Sequence, residues 1–204
     1  MSVLPSLGVN VSRETLADLE LYQDLLLKWT PKINLISKSS VPHVWDRHIW
    51  DSAQIYPLIE HTTKLTDIGS GGGLPALVVA IFAKHKNPDL HVTMIESDIR
   101  KSAFLRTVVR DLSLNAEVKS DRVERLPAEK TPVLTARALA DLTDLLEFAA
   151  YHLVENGVAY FLKGENWQKE VSAAQKSWSF TLEPHKSKTN PEAAILEIRN
   201  IKRV

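Results

Sequence analysis

The stretch Asp67-Ile68-Gly69-Ser70-Gly71-Gly72-Gly73-Leu74-Pro75 holds four of the chain's seven glycines within five consecutive residues. It follows an apolar strand pattern at 64–68 and precedes an apolar helix pattern at 74–84. Glycine permits a positive φ and lets a ligand approach the backbone closely. Pro75 suits the first turn of a helix, whose free N–H groups then face the loop. The stretch therefore predicts a strand, a ligand-binding turn and a helix.

Strand and helix patterns alternate along the rest of the chain. Further strands are predicted at 90–95, 116–120, 132–136 and 158–163, with helices at 99–112, 141–155 and 165–177. Two late strands at 179–183 and 194–199 are predicted to pair across a loop at 184–191. This alternation predicts an α/β fold with a mostly parallel seven-stranded sheet, the last strand antiparallel. Ligands bind beyond the carboxyl ends of parallel strands, so the loop after Ile68 is the expected site.

The first 60 residues carry helical patterns and no strand pattern. Ser12 is the predicted N-cap of a helix over 13–29, which Pro31 is expected to end. A second helical stretch is predicted over 41–59. We expect residues 1–60 to form helices packed on a Rossmann-like core at 61–204, with both parts making one structural unit.

The composition excludes several classes of protein. The 204 residues include no Cys, which excludes a disulfide scaffold, a Cys-ligated metal site and a Cys nucleophile. The His residues lack metal-ligand spacing, so no metal is expected. Lys and Arg number 25, as do Asp and Glu, so any nucleic-acid-binding surface must be a local basic patch. Residues 1–10 do not resemble a signal peptide and no apolar run is long enough to span a membrane, so we expect a soluble cytoplasmic protein.

The spacing of the glycines distinguishes three kinds of nucleotide-binding loop. A dinucleotide-binding loop would need glycine at Leu74, and a Walker loop would end in a Gly-Lys-Ser or Gly-Lys-Thr triplet, which is absent. The pattern acid-x-G-x-G-x-G fits Asp67, Gly69, Gly71 and Gly73. It resembles the first motif of the Rossmann-like class I S-adenosylmethionine-dependent methyltransferases. That cofactor carries an ammonium and a sulfonium and has no pyrophosphate, so an acid is expected beside the loop.

Glu96 is a second acid that favours a nucleoside ligand. It is predicted to end the second strand, where a carboxylate can accept hydrogen bonds from both ribose hydroxyls. Since the same position would serve NAD equally, Glu96 does not choose between nucleosides. A solvated strand end is the alternative interpretation of this residue.

The absence of certain residues and motifs limits which methylation reactions the chain could catalyse. Methylation at C5 of a pyrimidine needs a Cys nucleophile, and the chain has none. The segment Thr135-Ala136-Arg137-Ala138 stands where methyltransferases of exocyclic amines usually carry an Asn/Asp-Pro-Pro-aromatic motif. A ring nitrogen such as N7 of guanine already has a lone pair, so it needs alignment more than a general base. Arg137 without an obvious base therefore allows guanine N7 and does not require it.

Several segments, in order along nearly the whole chain, resemble the ribosomal RNA small subunit methyltransferase G family, also called glucose-inhibited division protein B. They are Lys28-Trp29 with Asn34-Leu35, Arg47-His48-Ile49-Trp50-Asp51-Ser52, Asp67 to Pro75, Arg122-Val123-Glu124, Arg137-Ala138 and Leu162-Lys163-Gly164. The segment that begins at Arg47 is the most specific of them. The resemblance implies transfer of a methyl group from S-adenosylmethionine to N7 of a guanine in the decoding region of bacterial 16S rRNA.

The resemblance also implies which residues form the site. Cofactor contacts fall on Gly69, Leu74, Val123, Glu124 and Arg137, in addition to the acids and glycines named above. Val123 and Glu124 would border the adenine, and Arg137, the expected catalytic residue, would lie between the cofactor and the incoming base.

The chain departs from the family pattern at two points. Ala76 stands where the family usually has Gly, and Glu192-Ala193-Ala194 lacks the Arg that the family often carries near the last strand. Either Lys186, Lys188 or Arg199 would then hold RNA at the carboxyl-terminal end, or RNA binding there would be weaker.

Basic residues interleaved with tryptophans predict a wall that contacts the small ribosomal subunit. The residues expected to bind RNA are Lys28, Lys32, Arg47, His48, Lys163, Lys186 and Lys188. Lys163 either faces RNA or caps the sheet, while Trp29, Trp45 and Trp50 are expected to pack helices onto the sheet. Asp51 is expected to hold Arg47 or His48 one helical turn away.

Two other functions fit the same patterns. One is a methyltransferase of this fold that acts on a small molecule or a protein. The other is a non-catalytic regulator that binds a nucleotide. A monomer is expected in either case, because no long exposed apolar helix is predicted.

Overall fold

A computed structural model describes residues 11–204 and contains the predicted seven-stranded sheet, in the order β3-β2-β1-β4-β5-β7-β6. The strands are β1 Lys64–Ile68, β2 His91–Ile95, β3 Ala116–Lys119, β4 Thr131–Arg137, β5 Leu153–Lys163, β6 Trp178–Lys186 and β7 Ala194–Arg203. The first five strands pair in parallel, whereas β7 is antiparallel to both β5 and β6. The predicted α/β class and the antiparallel last strand are confirmed.

Seven α-helices surround the sheet within residues 11–204. They are α1 Arg13–Ile33, α2 Asp51–Ala53, α3 Tyr56–Ile59, α4 Ala76–Lys86, α5 Ile99–Asp111, α6 Leu142–His152 and α7 Trp167–Ala174. None of the helices in this part of the chain is both long enough and apolar enough to cross a membrane.

The core lies on both faces of the sheet, because successive residues of a strand point to opposite sides. On β4, Val133 packs with residues of α1, α4 and α5, whereas Leu134 packs with residues of α6. Trp29, Trp45 and Trp50 pack in the same hydrophobic cluster as Val133, as expected for residues that pack helices onto the sheet. Burial on both faces fits the mostly parallel sheet.

Helix α1 begins as predicted and ends later than predicted. The Ser12 hydroxyl accepts a hydrogen bond from the Thr15 N–H, which caps the first turn. Pro31 lies inside the last turn and does not end the helix. The fixed φ of Pro31 is compatible with a helix, so the helix continues past it. It ends at Asn34, which has a left-handed backbone with φ 52° and whose N–H donates to the Thr30 carbonyl.

The predicted helical stretch over 41–59 is helical in the structure, but it is interrupted and irregular. This segment, with the residues just before it, consists of a 3-10 turn at Lys38–His43, a π-helical turn at Trp45–Trp50, and the short helices α2 and α3. Pro42 lies in the first turn and Pro57 at the start of α3, and neither has an N–H to continue a regular ladder. The irregular path directs His48 and Asp51 toward the carboxyl end of β4.

Several predicted boundaries also shift. Strand β5 starts at Leu153, five residues before the predicted start at 158, and Gly157 lies within it at a change of register with β4. Strand β6 extends to Lys186, so Pro184 pairs with Leu196 instead of lying in a loop. Proline is compatible with that position because β6 is an edge strand.

Candidate active site

The glycine loop at the end of β1 has a backbone that side chains would not tolerate. Gly69, Gly71 and Gly73 have φ of 65°, 52° and 84°. A Cβ on Gly69 would lie 2.5 Å from a methyl carbon of Leu139, and one on Gly73 would collide with Leu77. A Cβ on Gly71 would meet nothing nearer than 3.8 Å. The loop therefore presents bare backbone at Gly71, as a ligand cradle requires.

Three neighbouring groups hold this loop in place. The N–H groups of Gly69 and Ser70 both donate to the Ile95 carbonyl at the end of β2, over 2.9 and 3.1 Å. The Tyr22 hydroxyl of α1 donates to the Gly72 carbonyl over 2.7 Å, and Tyr22 is fully buried. Burial raises the pKa of Tyr22, so the phenol stays protonated and remains a donor.

Glu96 is the third group, and both of its carboxylate oxygens accept backbone N–H groups. Oε2 accepts from Gly71 and Oε1 from Asp98, each over 2.7 Å. The side chain is buried at the carboxyl end of β2, so it is not the solvated strand end of the alternative interpretation. Each carboxylate oxygen can still accept a second hydrogen bond, so both remain available for ribose hydroxyls. The contact with a ribose stays a prediction.

Asp67 is a buried acid with one unsatisfied oxygen. Its Oδ1 accepts a 2.6 Å hydrogen bond from the Thr135 hydroxyl, whereas its buried Oδ2 has no partner among the described residues. Burial raises the pKa of Asp67 to about 7, although the nearby hydroxyl groups of Ser70 and Thr135 act in the opposite direction. An unpaired acceptor beside a glycine cradle fits a ligand that carries an ammonium group.

The remaining predicted cofactor residues flank this loop. Leu74 follows it and is buried in the α1 side of the core. Val123 is buried in a 3-10 turn that follows β3, and Glu124 beside it is exposed. Their contacts with a cofactor remain predictions. Ala76, where the family usually has Gly, is fully buried in the first turn of α4 and fits there as a helical residue.

Arg137 ends β4 and is held by residues of the π-helical turn and α2. Its Nη2 donates to the Arg47 carbonyl over 2.6 Å and to Nδ1 of His48 over 3.0 Å, and its Nε lies 3.4 Å from Asp51 Oδ2. Its Nη1 is buried and has no partner among residues 11–204. Arg137 therefore has a fixed guanidinium with one donor group left over.

His48 is a neutral member of this arrangement. Its Nδ1 faces a donor of Arg137, and its Nε2 lies 2.8 Å from the Ser40 hydroxyl, which donates to the Ser37 carbonyl. These partners assign the proton to Nε2. Burial lowers the pKa of His48 to about 4, and the charges of Arg137 and Arg47 act in the same direction. His48 therefore positions Arg137 without adding a charge.

The expected pairing of Asp51 is wrong. The spacing pointed to Arg47 or His48, but the Asp51 carboxylate faces Arg137 and accepts a hydrogen bond from the Thr189 hydroxyl over 2.8 Å. Both partners come from distant parts of the chain, and helical spacing reports only neighbours within one helix. The roles of Tyr22 and Ser40 were missed for the same reason.

A cavity of about 850 Å³ opens beside Arg137. Its wall includes Arg47, His48, Arg137, Leu139, Lys163 and residues 187–191 apart from Lys188. Leu139 also lies against Gly69, so the cavity borders the glycine loop at this side chain. Three of the predicted RNA-binding residues, Arg47, His48 and Lys163, thus share one cavity.

The other predicted RNA-binding residues lie elsewhere. Lys28 and Lys32 are exposed on α1, and Lys186 and Lys188 are exposed at the tip of the β6–β7 hairpin. Lys163 is buried, and its ammonium contacts the Ala140 carbonyl at 2.7 Å and Glu170 at 2.6 Å. These bonds fix the loop that follows Arg137, which favours the capping role for Lys163.

The sheet order, the glycine loop and the buried acid Asp67 together define a class I S-adenosylmethionine-dependent methyltransferase. Solved structures support the fold. A SAM-dependent methyltransferase from Aquifex aeolicus has a TM-score of 0.57 at 12% identity, covering 78% of this chain and 93% of that chain. A methyltransferase from Geobacter sulfurreducens has a TM-score of 0.58 at 12% identity, covering 94% of this chain and 90% of that chain.

Sequence comparisons give the family. The family described as rRNA small subunit methyltransferase G matches residues 15–196. The ribosomal RNA small subunit methyltransferase G of Ruegeria sp. (strain TM1040) is 50% identical over 199 residues, which covers 98% of this chain and 97% of that protein. The protein of the same name from Paracoccus denitrificans is 46% identical over 196 residues, covering 95% and 99%. The chain belongs to the rRNA small subunit methyltransferase G family.

Proposed function

We propose that the protein transfers a methyl group from S-adenosylmethionine to N7 of a guanine in the decoding region of 16S rRNA. The observation that carries the proposal is the cavity of about 850 Å³, lined by Arg137, Arg47 and His48, which adjoins the glycine loop across Leu139. A purine that enters this cavity lies next to the loop that would hold the methyl donor. Family membership gives the class of RNA.

The cofactor is assigned to the glycine loop and the acids around it. Asp67 would receive the ammonium on its unpaired Oδ2, and Glu96 would receive the ribose hydroxyls. Leu74, Val123 and Glu124 would flank the nucleoside. When bound, S-adenosylmethionine supplies an electrophilic methyl group on its sulfonium.

Arg137 is the proposed catalytic residue, and its role is to orient the guanine for methyl transfer. The guanine N7 carries its own lone pair, so no residue of the chain has to remove a proton before the methyl group is transferred. Arg137 holds a fixed guanidinium at the cavity wall, with the buried Nη1 as a donor for an acceptor atom of the base. The neutral His48 beside it keeps that guanidinium oriented.

The RNA is proposed to contact Arg47 at the cavity and the exposed lysines on α1 and the β6–β7 hairpin, Lys28, Lys32, Lys186 and Lys188. His48 is a neutral member of the cavity wall, and Lys163 contributes by fixing the loop after Arg137. Neutralised phosphates release counterions, so binding of the small subunit is expected to weaken steeply with salt. An affinity that does not change with salt would contradict this part of the proposal.

We further propose that the protein acts as a monomer in the cytoplasm, where its ribosomal substrate is. Large exposed apolar side chains among residues 11–204 occur on separate elements, such as Leu21 on α1, Ile99 on α5 and Tyr151 on α6. Such isolated residues do not make an oligomer interface. Sedimentation equilibrium tests this statement directly.

One assay tests the proposed reaction. Small ribosomal subunits from cells that lack the protein are incubated with the enzyme and S-adenosylmethionine labelled in the methyl group, and the modified nucleoside is identified by mass spectrometry. We expect labelled N7-methylguanosine in 16S rRNA. Label in a small molecule or a protein would indicate another substrate, and cofactor binding without any transfer would indicate a regulator.

A further inference from the structure

The connection between β6 and β7 is fastened to the helical segment before the sheet. We call residues 187–193 the hairpin loop. Its Ser187 and Thr189 hydroxyls each lie 3.4 Å from Nε2 of Gln54, and its Lys188 N–H donates to Gln54 Oε1 over 2.6 Å. One side chain amide thus contacts three consecutive residues that lie more than 130 positions further along the chain.

Gln54 is well suited to hold this loop because it is buried. Only 7% of the residue is exposed, and a buried amide needs partners for both its donor and its acceptor. The hairpin loop supplies an acceptor and a donor, and Asp51 Oδ1 lies 3.3 Å from the same Nε2. Removal of the amide would leave the Lys188 N–H without this acceptor.

The residues that Gln54 holds belong to the substrate cavity. Ser187, Thr189 and Asn190 line the same cavity as Arg47 and His48. Their position therefore decides how wide the cavity opens and where the backbone of the hairpin loop meets an entering nucleotide.

Asp51 connects the same contact to Arg137. Its Oδ1 accepts a hydrogen bond from the Thr189 hydroxyl over 2.8 Å, while its Oδ2 lies 3.4 Å from Nε of Arg137. Both walls of the cavity thus meet at one carboxylate. A displacement of the hairpin loop changes the partners of the group that orients Arg137.

We propose that Gln54 is a positioning residue for the RNA substrate: it fixes the hairpin loop as one wall of the cavity and, through Asp51, aligns that wall with Arg137. This inference rests on the proposed function, because it treats the cavity as the place where the guanine enters. Gln54 does not contact the glycine loop in the structure, so its effect falls on RNA and leaves the cofactor alone.

The test compares Gln54→Met with the wild type in the subunit methylation assay. Methionine fills a similar volume but has neither the donor nor the acceptor of the amide. Methionine loses the contact with the Lys188 N–H at 2.6 Å and the contact with Asp51 at 3.3 Å. We expect this loss to raise KM for the subunits about tenfold. We expect kcat to fall by no more than about threefold and the Kd for S-adenosylhomocysteine to stay within about twofold, since the glycine loop is untouched.

Two further variants separate positioning from a general loss of structure. Gln54→Glu keeps an acceptor for the Lys188 N–H but brings a second carboxylate against Asp51, so its KM is expected to rise at least as far as that of Gln54→Met. Asn87→Ala is the matched control: its side-chain amide donates to the Glu60 and Thr62 carbonyls near the start of β1, away from the cavity. It should lower the free energy of unfolding without changing KM.

A double-mutant cycle with Thr189→Val completes the test. The KM effects of Gln54→Met and Thr189→Val are expected to be non-additive, because both changes release the same loop. Additive effects, an unchanged KM in the Gln54 variants, or an equal rise in Asn87→Ala would overturn the inference. A wild-type enzyme that fails to methylate subunits would overturn the proposed function instead.

Discussion

Replacement of Asp67 by Asn is expected to make the cofactor-free protein more stable and to impair its cofactor binding. Asparagine keeps an acceptor for the Thr135 hydroxyl but carries no charge. In the folded protein burial raises the pKa of Asp67 from 3.8 to about 7. Between pH 3.8 and about 7, the Asp67 carboxyl is therefore protonated in the folded protein but ionised in the unfolded chain. The stability from this proton is complete below pH 3.8 and is lost as pH rises through 7.

The size of the effect follows from the pKa difference. A shift of about three units at about 1.36 kcal/mol per unit sets an upper limit of about 4 kcal/mol at pH 8. Relaxation around a buried charge and the effective dielectric of proteins reduce this to about 2 kcal/mol. Asp67→Asn should therefore exceed the wild type in free energy of unfolding by about 2 kcal/mol at pH 8, and the difference should vanish near pH 4.

Urea denaturation of both proteins at pH 4, 6 and 8 measures this difference, and calorimetry with S-adenosylmethionine measures the cost to binding. We expect at least about a tenfold weaker Kd at pH 8, because the ammonium loses its anionic partner. The exposed carboxylate of Asp89 gives a control, since Asp89→Asn should change stability by less than about 0.5 kcal/mol. A variant that is no more stable at pH 8, or whose advantage does not depend on pH, would refute the reasoning.

Three other substitutions test the remaining parts of the site. Arg137→Ala should lower turnover at least about a hundredfold in the methylation assay while the cofactor Kd stays within about tenfold; normal turnover would remove Arg137 from the mechanism. Tyr22→Phe should cost about 1–2 kcal/mol in urea denaturation and weaken cofactor binding several-fold, because the buried Gly72 carbonyl loses its donor; unchanged values would show that this bond is dispensable. Gly69→Ala combines a φ of 65° with a clash against Leu139, so cofactor affinity measured by calorimetry should fall at least about tenfold, and wild-type affinity would contradict the described cradle.

The sheet and the glycine loop could be predicted because their signals are local. Strands β2, β4 and β5 carry clear groups of apolar residues, and right-handed crossovers leave few ways to arrange alternating strands and helices. The position of Asp67 and the glycines followed directly from the end of β1. The start of β5 could not be predicted, because Leu153 joins the sheet through pairing with Thr131 of β4 and not through its own apolar pattern.

The contacts that complete the site could not be predicted in the same way. Arg137 bonds to the Arg47 carbonyl across 90 positions of sequence, and no periodicity reports such a contact. Helical spacing placed Asp51 beside Arg47 or His48, whereas the interrupted helix turns Asp51 toward Arg137 at the end of β4. A polar residue such as Gln54 gave no signal at all, since its burial depends on a loop from the other end of the chain.

These distant contacts converge on the helical segment that precedes the sheet. Tyr22 supports the glycine loop, His48 and Asp51 orient Arg137, and Gln54 holds the hairpin loop. The glycine loop, Arg137 and the hairpin loop thus each take a hydrogen-bond partner from residues before β1, and α1 shares a hydrophobic cluster with α4 and α5. We infer that the helices of residues 1–60 and the core at 61–204 act as one structural unit. A core without those helices would expose the apolar residues that pack against α1 and would lose the groups that position the cofactor loop, the arginine and the hairpin loop.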